Sequence, residues 1–238
     1  MLLEHLADFY ERIEDELVPR HHKVREIDWL IEISASGEFK GFIRTEGQER
    51  DLEMPVPYLR RSGKSPPPYL LVDTPAYVLG LGLEKWTDEK VQPRTEAFHD
   101  LIHECAETSE EPTLEAIDTF LHEQIDVARQ ETPEDLSAGD LIGFSVDGSL
   151  PVQSPQVRQF WIHRMDARAG EKSNSTGQCI VCGHEEQPIA DRHPVELQLG
   201  PDRVQLITAN ENAFESYGLK ASEIAPVCCT CSHVYGQA

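Results

Sequence analysis

No stretch of this sequence approaches the ~18 consecutive apolar residues that a membrane span requires. Cations are also scarce. Against 43 Asp and Glu stand only 21 Lys and Arg, for a formal net charge of −22. A generic nucleic-acid binder needs Lys and Arg to meet phosphate, so this balance argues against non-specific DNA binding by the isolated chain. It leaves room for local basic patches that act inside a larger assembly. The opening segment MLLEHLADFYERIEDEL lacks the basic start and apolar centre of a secretory signal. The expectation is a cytoplasmic chain with no membrane partner. Also missing are G-x-S-x-G, a P-loop, a Gly-rich dinucleotide loop and HExxH, and no carboxylate pair stands out as a catalytic dyad.

What is present is enough for one large domain or two modest ones, with a hydrophobic core. The spacing of Leu2, Leu3, Leu6, Phe9, Tyr10, Ile13 and Leu17 predicts an amphipathic helix over 2–17, ended by Pro19. Ile27, Trp29, Ile31 and Ile33 alternate with Asp28 and Glu32, the period of a half-buried strand. SASG at 34–37 then turns the chain into a partner strand at 38–44, completing an antiparallel hairpin. Two prolines in 51–59 suit an edge strand. A basic, proline-rich loop follows at 60–68, then a short buried strand at 69–73. Helical patterns return at 90–107 and 113–130, a strand at 140–148, and a helix at 154–166 with a Ser cap and Pro in its first turn. GEKSNSTGQ at 170–178 reads as a linker. The fold class is therefore α+β. Residues 1–170 form an N-terminal domain of hairpin sheet and packed helices, and 171–238 a smaller cysteine-containing subdomain with a strand at 203–208. The final CSHVYGQA starts a helix without a C-cap, so the chain is expected to continue into a C-terminal helical region.

Six cysteines in a cytosolic chain point to metal or plain thiols and away from disulfides. Cys105 lies on a helical pattern and reads as a buried thiol. Cys179-x-x-Cys182, followed by Gly183, is a knuckle that places two thiolates on one side of a turn. Cys228 and Cys231 offer a second pair, with Cys229 facing elsewhere. Together they predict a four-thiolate zinc site; His184, His193 and His233 remain alternative fourth ligands. With four sulfurs no position is left for water, so the zinc would be structural. The competing enzyme reading takes His184-Glu185-Glu186 as the HxE of a zinc-dependent, nucleotide-modifying deaminase. Its partner PCxxC motif is one residue out of register here, at Pro226-Val227-Cys228.

Three basic clusters stand out of the acidic background: Arg20 to Arg25, Arg60-Arg61-Ser62-Gly63-Lys64, and Arg158 to Arg168. Each either meets phosphate or pairs with the abundant carboxylates.

Several tracts, in order and at their spacings, carry a resemblance. They are MLLEHLADFYERI, DWLIEISASGEFKGFI, VPYLRRSGKSPPPYLLVDTPAYVLGL, CIVCGHEEQPIADRHP and ITANENAFESYGLKASEIAPV. Together they resemble the N-terminal part of the large subunit of the type I-C CRISPR interference complex, the Cascade of the Dvulg subtype. The resemblance implies a non-catalytic subunit. Such a subunit recognises the protospacer-adjacent motif (PAM) in target double-stranded DNA, beside crRNA and the other Cascade subunits, and helps recruit a helicase-nuclease. Protein then reads a short duplex motif and guide pairing reads the rest. By the same resemblance, Arg60, Arg61, Ser62, Gly63 and Lys64 form a nucleic-acid-binding loop, and Asn210 and Asn212, in a second matching tract, are further nucleic-acid-binding residues. The family's Lys-Pro-Asn in that loop is replaced here by Ser65-Pro66-Pro67-Pro68. The family also manages without Cys182, Cys228, Cys229 and Cys231, which makes the thiols a local clip added to an existing contact.

Overall fold

Alternating apolar side chains at 27–33 produce the middle strand of a three-stranded sheet. The computed structural model describes residues 2–13, 17–45, 52–61, 63, 66–83, 85–172, 175–190, 196–199, 202–205, 207, 219 and 221–237. Helix α1 (Leu2–Ile13) precedes strands β1 (His22–Glu26), β2 (Trp29–Ile33), β3 (Phe39–Arg44) and β4 (Glu53–Pro57). Helices α2 (Pro75–Val78), α3 (Asp88–Thr108), α4 (Pro112–Glu123) and α5 (Ile125–Gln130) lead to β5 (Ile142–Val146). Beyond it come α6 (Pro155–Lys172), short strands β6 (Thr176–Gly177) and β7 (Gln187–Pro188), β8 (Glu196–Leu199), β9 (Asp202–Gln205) and α7 (Cys229–Gln237). The fold mixes helices with small sheets, and among the described residues no helix is long and apolar enough to cross a membrane.

The chain divides into two compact units, His21–Ile162, and Met1–Arg20 together with His163–Ala238. In the first unit the expected hairpin forms, with Ile31 opposite Phe42 across β2 and β3. The sheet order is β3-β2-β5, and β5 runs parallel to β2 with Phe144 opposite Ile31. A parallel neighbour requires a crossover, supplied here by α2 to α5. All five residues of β5 are buried, and Leu30 of β2 is buried along with its alternating neighbours. The strand is thus covered on both faces, where alternation alone implies one. Phe98 of α3 and Phe120 of α4 close the core over Phe144, at centroid distances of 6.4 and 6.1 Å. Each such buried ring contributes about 1.5–3 kcal/mol. Trp161 of α6 is fully buried and donates its indole N–H to the His21 carbonyl at 2.8 Å.

Three local expectations change. The basic segment after α1 becomes β1, paired antiparallel with β4 so that Val24 faces Pro55, and the two prolines of β4 sit on this two-stranded edge. Residues 69–73 do not form a strand. Leu70, Leu71 and Val72 are buried, but Leu71 takes a φ of 62°, and only Asp73 bridges to Ile142. The helix expected over 113–130 breaks at Gln124 into α4 and α5.

In the other unit, α1 packs on α7. Leu3, Cys179, Val227, Cys228 and Tyr235 share one buried cluster. Arg20 is held by Asp166 at 2.8 Å. The strand expected at 203–208 appears as β9, paired with β8 so that Leu197 faces Val204.

Candidate metal centre and basic loop

The Cys179–Cys182 turn is built as a knuckle. The Gly183 N–H closes on the Cys179 carbonyl at 2.9 Å, and the Cys179 N–H on the His184 carbonyl at 2.9 Å. Gly183 has a φ of 74°, a left-handed conformation that glycine adopts without a Cβ penalty. The second pair arrives on a segment threaded between both ends of the knuckle region. The Ile180 N–H meets the Pro226 carbonyl at 2.9 Å, the Ala190 N–H meets that of Val227 at 3.0 Å, and Cys228 bridges Ile189. Helix α7 then starts at Cys229, which puts Cys228 at its positive end and Cys231 in its first turn.

The result is a cluster. The sulfurs of Cys179, Cys182, Cys228 and Cys231 all lie within 4.8 Å of one another, and these four residues could hold a metal ion. The Cys228 N–H donates to Cys179 Sγ at 3.3 Å and the Cys231 N–H to Cys228 Sγ at 3.4 Å. A backbone N–H from His184 reaches Cys182. Such bonds favour thiolate over thiol. The Cys231 hydrogen bond, helped by that residue's backbone N–H, lowers the Cys228 pKa to about 5. The same bond pushes the Cys231 thiol up, and burial raises Cys182. The Cys231 thiol thus hydrogen-bonds to the Cys228 sulfur, a contact that a bound cation would replace.

Among the described residues, no histidine joins the group. His184 is exposed and contributes its backbone, not its ring. His193 lies outside the described residues. Cys229 stays out of the cluster, and Cys105 is fully buried on α3 with its sulfur 3.7 Å from Ser109 Oγ.

In the loop expected to meet nucleic acid, Arg60 is exposed, and Gly63 is exposed with a φ of 89° and no described atom within 4 Å of where a Cβ would stand. Arg61 differs. Its guanidinium pairs with both oxygens of buried Asp73 and donates through Nε to the Pro67 carbonyl at 2.9 Å. It also stacks on Tyr69 and Tyr77 at centroid distances of 3.5 and 4.3 Å. Three of its five donors are therefore used inside the protein, which makes it the loop's anchor. Ser62, Lys64, Asn210 and Asn212 lie outside the described residues. Sequence reasoning missed a second basic group, Lys85, Lys90 and Arg94 around Trp86. The signal was present as cations spaced around a tryptophan before and within the start of a helical pattern.

A family model described as CRISPR-associated protein (Cas_Csd1) matches residues 6–238. No curated protein matches the chain.

Proposed function

The chain belongs to the CRISPR-associated Csd1 family, and on that premise we propose that it is the DNA-recognising large subunit of a crRNA-guided surveillance complex of the type I-C class. The observation that carries the reading is the family match, which runs through both compact units. In this role the chain performs no chemistry. It reads the PAM on target double-stranded DNA, contacts crRNA and the other Cascade subunits, and offers a surface to the helicase-nuclease. The basic loop supports this: Arg60 and Gly63 are exposed at a corner that Arg61 holds from beneath. A glycine with no described residue crowding its Cβ side lets a phosphate backbone approach closely. The acidic remainder of the chain keeps duplex binding weak until partner subunits supply a basic channel.

The cysteine cluster takes zinc in a structural role. A tetrahedral four-sulfur site with Zn–S of about 2.3 Å needs sulfurs about 3.8 Å apart, and a cluster within 4.8 Å closes onto that geometry with small movements. Four thiolates fill the coordination sphere. That argues against a deaminase, which needs an open position for water.

Co-expression with crRNA and the partner subunits tests the role: the chain should co-purify with the assembled ribonucleoprotein, and its absence from it would end this reading. Within the complex, Arg60→Glu with Lys64→Glu should weaken PAM-duplex binding by about tenfold or more at low salt. Unchanged binding removes the loop from the interface. Arg61 is left intact in that test because its reversal would unseat the loop.

A further inference from the structure

In the unit His21–Ile162, the anchored loop forms one wall of an open cleft of about 740 Å³. Its lining includes Arg61, Tyr77, Lys85, Trp86, Lys90 and Arg94, and no carboxylate among the described residues. In a chain with twice as many acids as bases, four cations facing one cavity is a concentrated exception. Asp73 lies behind Arg61 and neutralises it. Arg94 is buried, donates to the Lys90 carbonyl and lies 4.7 Å from the Trp86 ring centroid. Lys85 and Lys90 are exposed, with their ammonium groups 5.7 and 6.0 Å from the same centroid. Among the described residues neither of these lysines pairs with a carboxylate, and both stand beside the aromatic ring.

The backbone holds Trp86 at this position. The N–H groups of Lys85 and Trp86 turn back onto the Gly82 carbonyl at 3.0 and 3.2 Å, and Leu83 within the turn has a φ of 42°. A Cβ on Gly82 would sit 2.1 Å from the Trp86 carbonyl oxygen, so only glycine allows the turn to close. The other wall is equally fixed, because Tyr77 is buried and its hydroxyl donates to the Pro66 carbonyl at 2.8 Å.

An aromatic platform with flexible ammonium groups at its rim suits a ligand that carries a flat ring and an anionic group together. We propose that this cleft binds a nucleotide, its base against Trp86 and its phosphate between Lys85 and Lys90. Base stacking on an aromatic side chain tolerates any base, and the ammonium groups meet phosphate as point charges. The ligand is either one unpaired residue of a nucleic-acid strand or a free mononucleotide. The proposal rests on the cleft alone. It extends the DNA-recognising role from duplex at the loop to an unpaired nucleotide beside it.

Tryptophan fluorescence of the full chain reads the site directly. Trp29 and Trp161 are buried, which leaves Trp86 as the responsive one of the three tryptophans. At low salt, a ten-residue oligothymidylate and thymidine monophosphate are titrated in parallel. Saturable quenching by the oligonucleotide alone identifies a strand as the source, and quenching by both identifies a free nucleotide as sufficient. Either result supports the site. With a labelled oligonucleotide, or by calorimetry if only the mononucleotide binds, Trp86→Ala should weaken binding by roughly five- to 150-fold, the worth of one stacked base. Lys85→Glu with Lys90→Glu, both on exposed positions, should weaken it further while circular dichroism stays unchanged. No quenching by either ligand, or quenching unaffected by the lysine reversals, overturns the proposal. Loss of this binding leaves PAM-duplex binding by the assembled complex as a separate measurement, so the two readings fail independently.

Discussion

Arg61 lies across both oxygens of Asp73, and Asp73 is fully buried. The same carboxylate accepts the backbone N–H groups of Tyr69 and Thr74 at 2.8 and 2.7 Å. One buried acid therefore organises the start of α2, the bend at 69–73 and the base of the loop. Arg61→Ala leaves that charge without its partner, and removing one member of a buried pair costs about 3–5 kcal/mol. Arg61→Lys recovers little, because an ammonium can neither form the two-pronged contact nor stack on Tyr69 and Tyr77. Urea unfolding measures both variants. A loss below about 1 kcal/mol for the alanine variant contradicts the anchoring role.

Metal analysis of the purified chain separates the cysteines. Zinc should be bound at one equivalent and lost in Cys179→Ser, Cys228→Ser or Cys231→Ser. It should be retained in Cys229→Ser and Cys105→Ser, since neither sulfur belongs to the cluster. Because the ligands must shed protons, affinity falls with acid. Full zinc content in the Cys228→Ser protein would sink the assignment.

His99 gives the protein an acid-sensitive point. Burial holds its pKa below the ordinary histidine value, with the nearby Arg129 and His122 acting in the same direction, and its buried Nε2 has no hydrogen-bond partner among the described residues. The unfolded state therefore binds the proton more readily. Stability is intact above the unfolded pKa of about 6.5 and declines as pH falls from there through the folded value. His99→Gln should flatten that decline in denaturant midpoints measured between pH 7.5 and pH 5. An identical slope in both proteins excludes His99 as its origin.

Two glycines with nearly equal φ make a controlled pair. At Gly37 (φ 80°) a Cβ would meet the Ala116 carbonyl at 2.8 Å and Thr119 Cβ at 2.9 Å, whereas at Gly148 (φ 81°) it meets no described residue. Gly148→Ala carries only the left-handed penalty of about 1 kcal/mol, and Gly37→Ala adds overpacking of about 1–3 kcal/mol. Thermal melts of the two variants should differ accordingly, and equal losses would show that α4 yields.

The hairpin and the cysteine cluster were legible because both depend on short-range spacing. Alternation at Trp29, Ile31 and Ile33 fixes a strand, and two C-x-x-C turns fix where thiolates point. The parallel pairing of β5 was not legible, since it depends on four intervening helices packing first. Tyr69 to Val72 mimic a strand in composition, yet Asp73 captures the Tyr69 N–H and bends the backbone instead. Arg60 and Arg61 look alike in sequence. Only the burial of Asp73 makes one a surface cation and the other an internal strut.

The shared cluster of Leu3 with Val227 and Tyr235 has a bearing on when the protein matures. α1 is made before α7, and the cluster around Leu3 is complete only once Val227, Cys228 and Tyr235 have been made. The His21–Ile162 unit can fold while translation continues, domain by domain. The thiols of Cys179 and Cys182 likewise wait for Cys228 and Cys231. The seating of the first helix thus waits for the synthesis of α7, and a ribosome stalled before α7 holds a chain with the His21–Ile162 unit finished and the other open.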